Sequence, residues 1–195
     1  MNSILYIFSR ALNGYLFMVP ILIVYFLLLF KLRKNQKQFH IVTCFVFGFY
    51  LLLIIAATGI GNTDVFYFQP EIYLLPFRDL VLAPKHFILN VVAFIPFGFF
   101  LPLQYVKYKR VKCVVSTGFL FSLCIELLQM FSWGATEIDD LMANTFGVYL
   151  GYLSYCILKK CLCKDFGVHF QPDNINDIAE LVLLFACSFL IMILA

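Results

Sequence analysis

The residues best suited to chemistry in this chain are acidic and amide side chains grouped within residues 126–152. Glu126 stands inside one apolar run, whereas Glu137, Asp139 and Asp140 stand at the start of the next run. An ionisable side chain in a bilayer is costly, and such residues are usually kept for a function. The segment therefore predicts a functional polar site, provided that the runs around it cross a membrane.

The composition indicates that they do. The chain has 195 residues, of which 63% are hydrophobic and 13% are charged, against about 25% charged residues in a typical soluble domain. The short loops leave no room for a separate soluble catalytic module. The seven cysteines lie mostly in apolar runs, without a C-x-x-C pair and matching histidines. We therefore interpret them as packing residues and expect no metal, no cofactor and no nucleic-acid partner.

The predicted fold class is all-α, a polytopic bundle of about six transmembrane helices. A helix needs about 20 mostly apolar residues to cross a bilayer, and runs of that kind cover residues 11–30, 39–59, 87–104, 111–131, 139–158 and 178–195. The last run is barely long enough to cross. We divide the chain into a two-span extension with an external loop (1–71), a membrane core (72–158), and a basic loop with the closing span (159–195).

The basic residues predict which loops face the cytoplasm. Eleven of the fourteen lysines and arginines fall in alternate loops: Lys31, Arg33, Lys34, Lys37, Lys107, Lys109, Arg110, Lys112, Lys159, Lys160 and Lys164. Cytoplasmic loops carry an excess of such residues, so these loops are expected inside the cell. The turn that carries the acidic residues then faces outward, as do both termini.

Helical periodicity places the polar residues on defined faces. Glu126 and Gln129 share one face of the fourth run, and a single stripe of the fifth run carries Asp140, Asn144, Gly147 and Gly151. Gly147 and Gly151 form a small-xxx-small pattern that lets another helix approach closely; we expect that helix to be the fourth. Thr136 is the predicted N-cap of the fifth helix, and Glu137 and Asp139 would complement its dipole.

These faces predict a shared polar site. Asn90 of the third run is expected at a depth similar to that of Gln129, Asp140 and Asn144, which predicts a pocket open to the exterior. The alternative is a hydrogen-bonded polar knot that holds the helices together. Arg78 could balance Glu126 or Asp140, or make a surface contact. The predicted site residues are Arg78, Asn90, Glu126, Gln129, Thr136, Asp139, Asp140 and Asn144.

A histidine near this site has two interpretations. His86 lies beside Lys85 at the start of the third run, where anchoring at the lipid head groups is expected. Metal binding by His86 with Asp139 and Asp140 is the alternative, for which one histidine and scattered carboxylates are a weak signal.

Several motifs resemble the VanZ-like membrane proteins, a bacterial family. They are the LPF at residues 75–77, NVVAFIPFGFFLPL from Asn90, the E-x-x-Q of Glu126 and Gln129, and GATEIDDLMANTFGVYLGY from Gly134. The likeness covers roughly residues 72–158. One departure is Glu137, where aspartate is common in the family, and the negative charge is kept. The resemblance implies a multi-pass envelope protein and, from one member, low-level resistance to the glycopeptide teicoplanin.

Three functions remain open at this point. The first is a non-enzymatic envelope protein that binds an external amphiphilic or lipid-linked ligand, such as a cell-wall precursor or glycopeptide. The second is an enzyme on a lipid-linked substrate, with Glu126 and Asp140 as acid and base; the sequence shows no nucleophile with its base and no phosphate loop. The third is a small proton-coupled transporter or flippase, whose size would favour an oligomer. Membrane lipid is a partner in each case.

Overall fold

The computed structural model describes residues 3–32, 37–61, 72–73, 75–131, 136–162, 170–171 and 176–194. Its helices are α1 (Ser3–Lys31), α2 (Gln38–Ala57), α3 (Arg78–Leu82), α4 (Pro84–Gln104), α5 (Val111–Gln129), α6 (Ile138–Leu162) and α7 (Asp177–Leu194), with a 3₁₀ turn at Val106–Lys109. Two short strands, β1 (Ile72–Tyr73) and β2 (Thr136–Glu137), complete the described elements.

The predicted helical membrane fold is confirmed. Within the described ranges, six helices are long and apolar enough to cross a bilayer: α1, α2, α4, α5, α6 and α7. The closing span is among them, although it is only 18 residues long. The chain is therefore a multi-pass membrane protein with an all-α architecture.

One compact unit comprises residues 1–64 and 168–195 and contains α1, α2 and α7. The Arg10 guanidinium of α1 donates hydrogen bonds to the backbone oxygens of Ile60 (2.5 Å) and Met192 (3.0 Å). These bonds tie the three parts of the unit together near one end of α7. The sequence alone does not indicate that the first two spans pack with the last one.

The other compact unit comprises residues 65–167 and centres on the packing of α4 against α6. Small residues let the two backbones touch, and a Cβ added at any of three glycines would overlap a backbone carbonyl: Gly98 against Val148, Gly147 against Val91, and Gly151 against Ile95. The expectation that the glycine stripe of α6 receives α5 is wrong. The short connection makes α5 and α6 neighbours, but α5 meets α6 through Gly118 and the Val148 side chain.

A minimal parallel strand pair lies in the same unit. Ile72 pairs with Thr136 and Tyr73 pairs with Glu137, so the segment before α3 lies beside the start of α6. The prediction that Thr136 caps α6 is wrong, because Thr136 belongs to β2 and its hydroxyl donates to the Glu126 carbonyl oxygen at 2.9 Å. Strand pairing between segments so distant in sequence fixes the backbone of Thr136 before helix α6 begins.

Candidate functional site

A buried carboxylate, that of Asp139, fixes the backbone next to the site. Asp139, which is 2% exposed, accepts the backbone N–H groups of Phe77 and Asp79, both at 2.6 Å. Phe77 has a φ of 63°, an uncommon left-handed conformation for a bulky residue. Hydrogen bonds to a charged acceptor are among the stronger ones in proteins. Asp139 therefore holds the strained turn at the start of α3 against the first turn of α6.

Four titratable side chains converge above this turn. They come from α3, α4, β2 and α6, and their ligand atoms all lie within 4.8 Å of one another: Asp79, His86, Glu137 and Asp140. We call this group the acidic cluster. His86 Nδ1 lies 3.3 Å from Asp79 Oδ2 and 3.6 Å from Asp140 Oδ1. One imidazole thus faces three carboxyl groups, so its charge cannot balance all of theirs.

Asp140 is fixed from the side of α4. Asn90 Nδ2 donates to Asp140 Oδ1 at 2.5 Å, and His86 lies one helical turn before Asn90 on the same face of α4. The close contact of α4 with α6 at Gly147 brings Asn90 and His86 to Asp140. The structure therefore brings Asn90 and Asp140 together, two of the residues predicted for the pocket.

Glu137 has a perturbed acidity. Burial raises the pKa of Glu137 to about 7, and a hydrogen bond to the Asp79 side chain and the charges of Asp79 and Asp140 add to this effect, while His86 opposes it. Two carboxyl groups can form such a bond only if one of them holds a proton. Glu137 therefore keeps its proton to a higher pH than an exposed glutamate does.

Glu126 is hydrogen-bonded to one member of the acidic cluster, Glu137. It is buried, and its Oε2 accepts the backbone N–H of Glu137 at 3.0 Å. Glu126 thus joins α5 to β2 and adds a further carboxylate to the neighbourhood, so the fourth and fifth predicted spans both contribute to the site.

Asn144 belongs to a separate polar contact. Its Nδ2 donates to Ser122 Oγ at 2.9 Å between α6 and α5. Its Oδ1 is buried and has no hydrogen-bond partner within the described part of the chain. This contact matches the alternative interpretation of a polar knot between helices. Gln129 is the last residue of α5 and is not a member of the acidic cluster.

Of the two interpretations of Arg78, balance of Glu126 or Asp140 and a surface contact, the structure shows a contact with an exposed tyrosine. Its guanidinium carbon lies 4.6 Å from the centre of the Tyr73 ring, a cation–π contact. The basic group facing the carboxylates is instead His86. The sequence offered one signal for this, since His86 and Asn90 are four residues apart and share a face of α4. Helical spacing could not identify Asp79, because its segment is placed beside α6 by the pairing of β1 with β2.

The acidic cluster could also hold a divalent cation, since its donors are three carboxyl groups and one imidazole. The His86 side chain is 52% exposed, so the cluster can exchange ions or ligands with its surroundings.

Gly134 and Ala135, which precede the cluster in the sequence motif, lie outside the described residues.

An apolar groove lies along α5 and α6 in the same unit. It has a volume of about 590 Å³ and is lined by Val115, Phe119, Ile138, Leu141, Met142, Thr145, Phe146 and Tyr149. Ile138 directly follows Glu137 in the chain. A groove of this size and lining is suited to a hydrocarbon chain.

Comparisons with known proteins identify relatives. The sequence profile of the VanZ/LLP1 family matches residues 17–159. Protein VanZ of Enterococcus faecium is 35% identical over 97 residues, which are 48% of this chain and 58% of that protein. The match thus spans less than two thirds of the relative's length. No solved structure matches this chain.

Proposed function

This chain belongs to the VanZ/LLP1 family, and we propose that it binds the positively charged head group of an amphiphilic or lipid-linked ligand outside the cell. The observation that carries the proposal is the acidic cluster, in which Asp79, Glu137 and Asp140 surround the single imidazole of His86. Glu126 adds a further acidic side chain beside it, whose Oε2 accepts the backbone N–H of Glu137. A primary or secondary ammonium group is the ligand chemistry that such a site favours.

Electrostatics in a partly buried site supports a cationic ligand. Like charges held close together in low dielectric repel strongly unless protons or a cation offset them. Glu137 offsets part of the charge by keeping a proton up to about pH 7. An incoming ammonium group would displace that proton and donate hydrogen bonds to the freed carboxylates, which strengthens binding without moving the backbone.

The apolar groove supplies a place for the rest of an amphiphile. Its lining is mostly hydrocarbon and aromatic, and one lining residue, Ile138, is adjacent in sequence to Glu137. A ligand with an amine and a lipid tail would then place the amine at the acidic cluster and the tail along α5 and α6. Amine-bearing cell-wall precursors and lipoglycopeptides belong to this class of molecule.

The proposal requires the acidic cluster to face the exterior. The distribution of lysine and arginine supports this orientation. A reporter fused after Lys34 is expected to be active in the cytoplasm, and one fused after Thr136 is expected to be active only outside. The reverse pattern would contradict the external site.

Binding is tested with the protein purified into nanodiscs of zwitterionic lipid. Hexadecylamine should raise the unfolding temperature of the protein, whereas hexadecanol, with the same tail and no charge, should not. Asp140→Asn should abolish the difference between the two probes. Asp177→Asn, a carboxylate replacement in the other compact unit, is the matched control and should respond as the parent protein does. Equal responses to amine and alcohol would overturn the proposal.

The consequence in cells is tested by measuring tolerance to teicoplanin, the phenotype that the resemblance to the family implies. If this chain contributes to glycopeptide tolerance, cells that carry Glu126→Gln or Asp140→Asn should lose the protection against teicoplanin that the parent protein gives. Membrane abundance is measured in each strain so that loss of protein is separated from loss of the site. Asn144→Ala, outside the acidic cluster, should have the smaller effect. If all three variants tolerate teicoplanin as well as the parent protein does, the pocket interpretation is wrong.

A second function, acid–base catalysis on a lipid-linked substrate, is favoured by one observation. Glu137 is hydrogen-bonded to Asp79 in the same cluster as His86, and its pKa is raised to about 7, where a general acid or base is most effective. In this case Glu137→Gln should stop conversion of a lipid-linked cell-wall precursor, followed by mass spectrometry of extracted lipids. Unchanged lipid in the presence of the parent protein would exclude this function.

A further inference from the structure

A second cluster of ligand atoms lies in the unit formed by α1, α2 and α7. His40 and Cys44 stand one turn apart on α2, and Glu180 stands in the first turn of α7. All three residues are enclosed, with 0%, 1% and 2% of their surfaces exposed. Their ligand atoms lie within 4.8 Å of one another. We call this group the histidine–cysteine–glutamate cluster.

The distances inside this cluster are short. His40 Nε2 lies 2.8 Å from Glu180 Oε1, Cys44 Sγ lies 3.3 Å from the same oxygen, and Cys44 Sγ lies 3.5 Å from His40 Nε2. A nitrogen, a sulfur and an oxygen thus form a small triangle in an apolar interior.

Neighbouring groups fix the orientation of two of these ligands. His40 Nδ1 lies 2.9 Å from the backbone oxygen of Phe170. Because a carbonyl oxygen only accepts, Nδ1 carries a proton, and Nε2 is the nitrogen that faces the cluster, where a metal would take the place of the proton donated to Glu180 Oε1. Tyr25 donates its hydroxyl to the other carboxylate oxygen, Glu180 Oε2, at 2.8 Å. Partners of this kind, on the far side of the ligating atom, are typical of metal-binding histidines and carboxylates.

The triangle is close to one face of a zinc tetrahedron. With Zn–N, Zn–O and Zn–S bonds of about 2.0–2.1, 2.0–2.2 and 2.3 Å, tetrahedral angles give ligand separations of about 3.4 Å for N···O and about 3.6 Å for the two edges that include sulfur. The two sulfur edges measured in the structure, 3.3 and 3.5 Å, are near this value. The N···O edge of 2.8 Å has to open by roughly half an ångström, which side-chain rotation allows.

We propose that His40, Cys44 and Glu180 bind Zn²⁺, with the fourth position open to water or another ligand. The mixture of imidazole, thiolate and carboxylate is typical of zinc and excludes a preference for Mg²⁺ or Ca²⁺, which take oxygen ligands. A neutral imidazole, a thiolate and a carboxylate carry two negative charges together, so the complex with Zn²⁺ is neutral. A neutral complex is the form that a low-dielectric interior tolerates best.

Zinc in this position would hold α2 to α7. Cys44 would release its thiol proton on binding, so affinity should increase with pH. Without the metal, the same side chains form an ordinary buried hydrogen-bonded contact. The inference is independent of the proposed ligand site, because it involves a different compact unit and different residues.

The test uses the full chain in detergent or nanodiscs, first with Co²⁺ as a spectroscopic probe for Zn²⁺. The parent protein should develop a thiolate-to-cobalt absorption band in the near ultraviolet and visible d–d bands of tetrahedral intensity, at one Co²⁺ per chain. Zn²⁺ should then displace the cobalt and bleach both. Absence of the thiolate band in the folded parent protein would overturn the proposal, whatever the variants do.

Variants assign the ligands. Cys44→Ser should remove the thiolate band and lower Zn²⁺ affinity at least tenfold, and Cys187→Ala, which removes another thiol of the same unit, should leave both unchanged. Tyr25→Phe keeps all three ligands and should weaken Zn²⁺ binding roughly 10- to 100-fold through loss of the outer hydrogen bond. Equal cobalt spectra for the parent protein and Cys44→Ser would place the metal elsewhere and refute the assignment.

Discussion

The two polar clusters of this protein differ in chemistry and in exposure. The acidic cluster has three carboxyl groups against one imidazole, and its His86 is half exposed. The histidine–cysteine–glutamate cluster has three different ligand atoms and is closed to solvent. The acidic cluster has excess negative charge and access to solvent, which suits a ligand or proton that exchanges with the surroundings. The histidine–cysteine–glutamate cluster is enclosed, and its donors together neutralise a divalent ion, which suits an ion that is bound permanently.

The comparison also separates the ways in which an ionisable group is tolerated in a membrane protein. In and next to the acidic cluster, backbone N–H groups bind the carboxyl groups of Asp139 and Glu126, and Glu137 is stabilised by a retained proton. In the other cluster, side chains relieve one another directly. Variants in the first cluster should therefore alter amine binding but not metal content, and variants in the second should alter metal content but not amine binding.

Asp139→Ala should have the largest effect on stability. The change leaves the N–H groups of Phe77 and Asp79 without their charged acceptor, and the loss should be about 3 kcal/mol in the free energy of unfolding. Unfolding by denaturant in mixed micelles measures it. The stability of Asp139→Asn, which keeps one acceptor oxygen, should lie between that of the parent protein and that of Asp139→Ala. Cobalt binding in folded Asp139→Ala should be unchanged; its loss would show that the two clusters depend on each other.

Gly147→Ala should be the next most harmful change, because its Cβ would overlap the Val91 carbonyl and push α4 from α6. The expected cost is about 1–3 kcal/mol, and amine binding should weaken because the Asn90–Asp140 hydrogen bond spans these helices. Gly48→Ala is the matched control in the other unit, since its nearest neighbour is the flexible Met18 side chain at 3.4 Å. Similar losses of unfolding temperature in both variants would argue against close backbone packing at Gly147.

A smaller, pH-dependent effect is expected at Glu137. Its pKa is raised from 4.5 to about 7, so between these values the folded protein holds a proton that the unfolded chain has released. Stability should therefore fall as pH rises from about 5 to about 8. Amine binding should strengthen over the same range, because the site gains negative charge. Glu137→Gln should flatten the Glu137 contribution to both profiles; a parental slope in this variant would assign the titration to another group.

Ser122→Ala should have the smallest effect. It removes the hydrogen-bond partner of Asn144, and such bonds between membrane helices contribute about 0.6 kcal/mol on average. The unfolding temperature should fall slightly, with no change in amine or cobalt binding. A loss of amine binding would show that Asn144 belongs functionally to the acidic cluster, which the contacts of the described residues do not indicate.

Part of the candidate site could be predicted from sequence. Helical spacing indicated that Asp140 and Asn144 share a stripe of one helix, and the depth argument associated Asn90 with Asp140, which the structure joins by a hydrogen bond. Spacing could not find Asp79, because a two-residue strand pair between residues 72–73 and 136–137 brings its segment to α6. Nor could it identify Cys44 as more than a packing residue, since its partner Glu180 lies 136 residues away.

The sequence by itself determined the class of the protein. Runs of about 20 apolar residues must form helices in a bilayer because their backbone groups have no other hydrogen-bond partners there. Tertiary structure alone decided which helices meet. The glycine stripe of α6 receives α4 and not its neighbour in sequence, and α1, α2 and α7 enclose a histidine, a cysteine and a glutamate. Helical periodicity defines the face that a side chain occupies, whereas its partner depends on how complete helices pack.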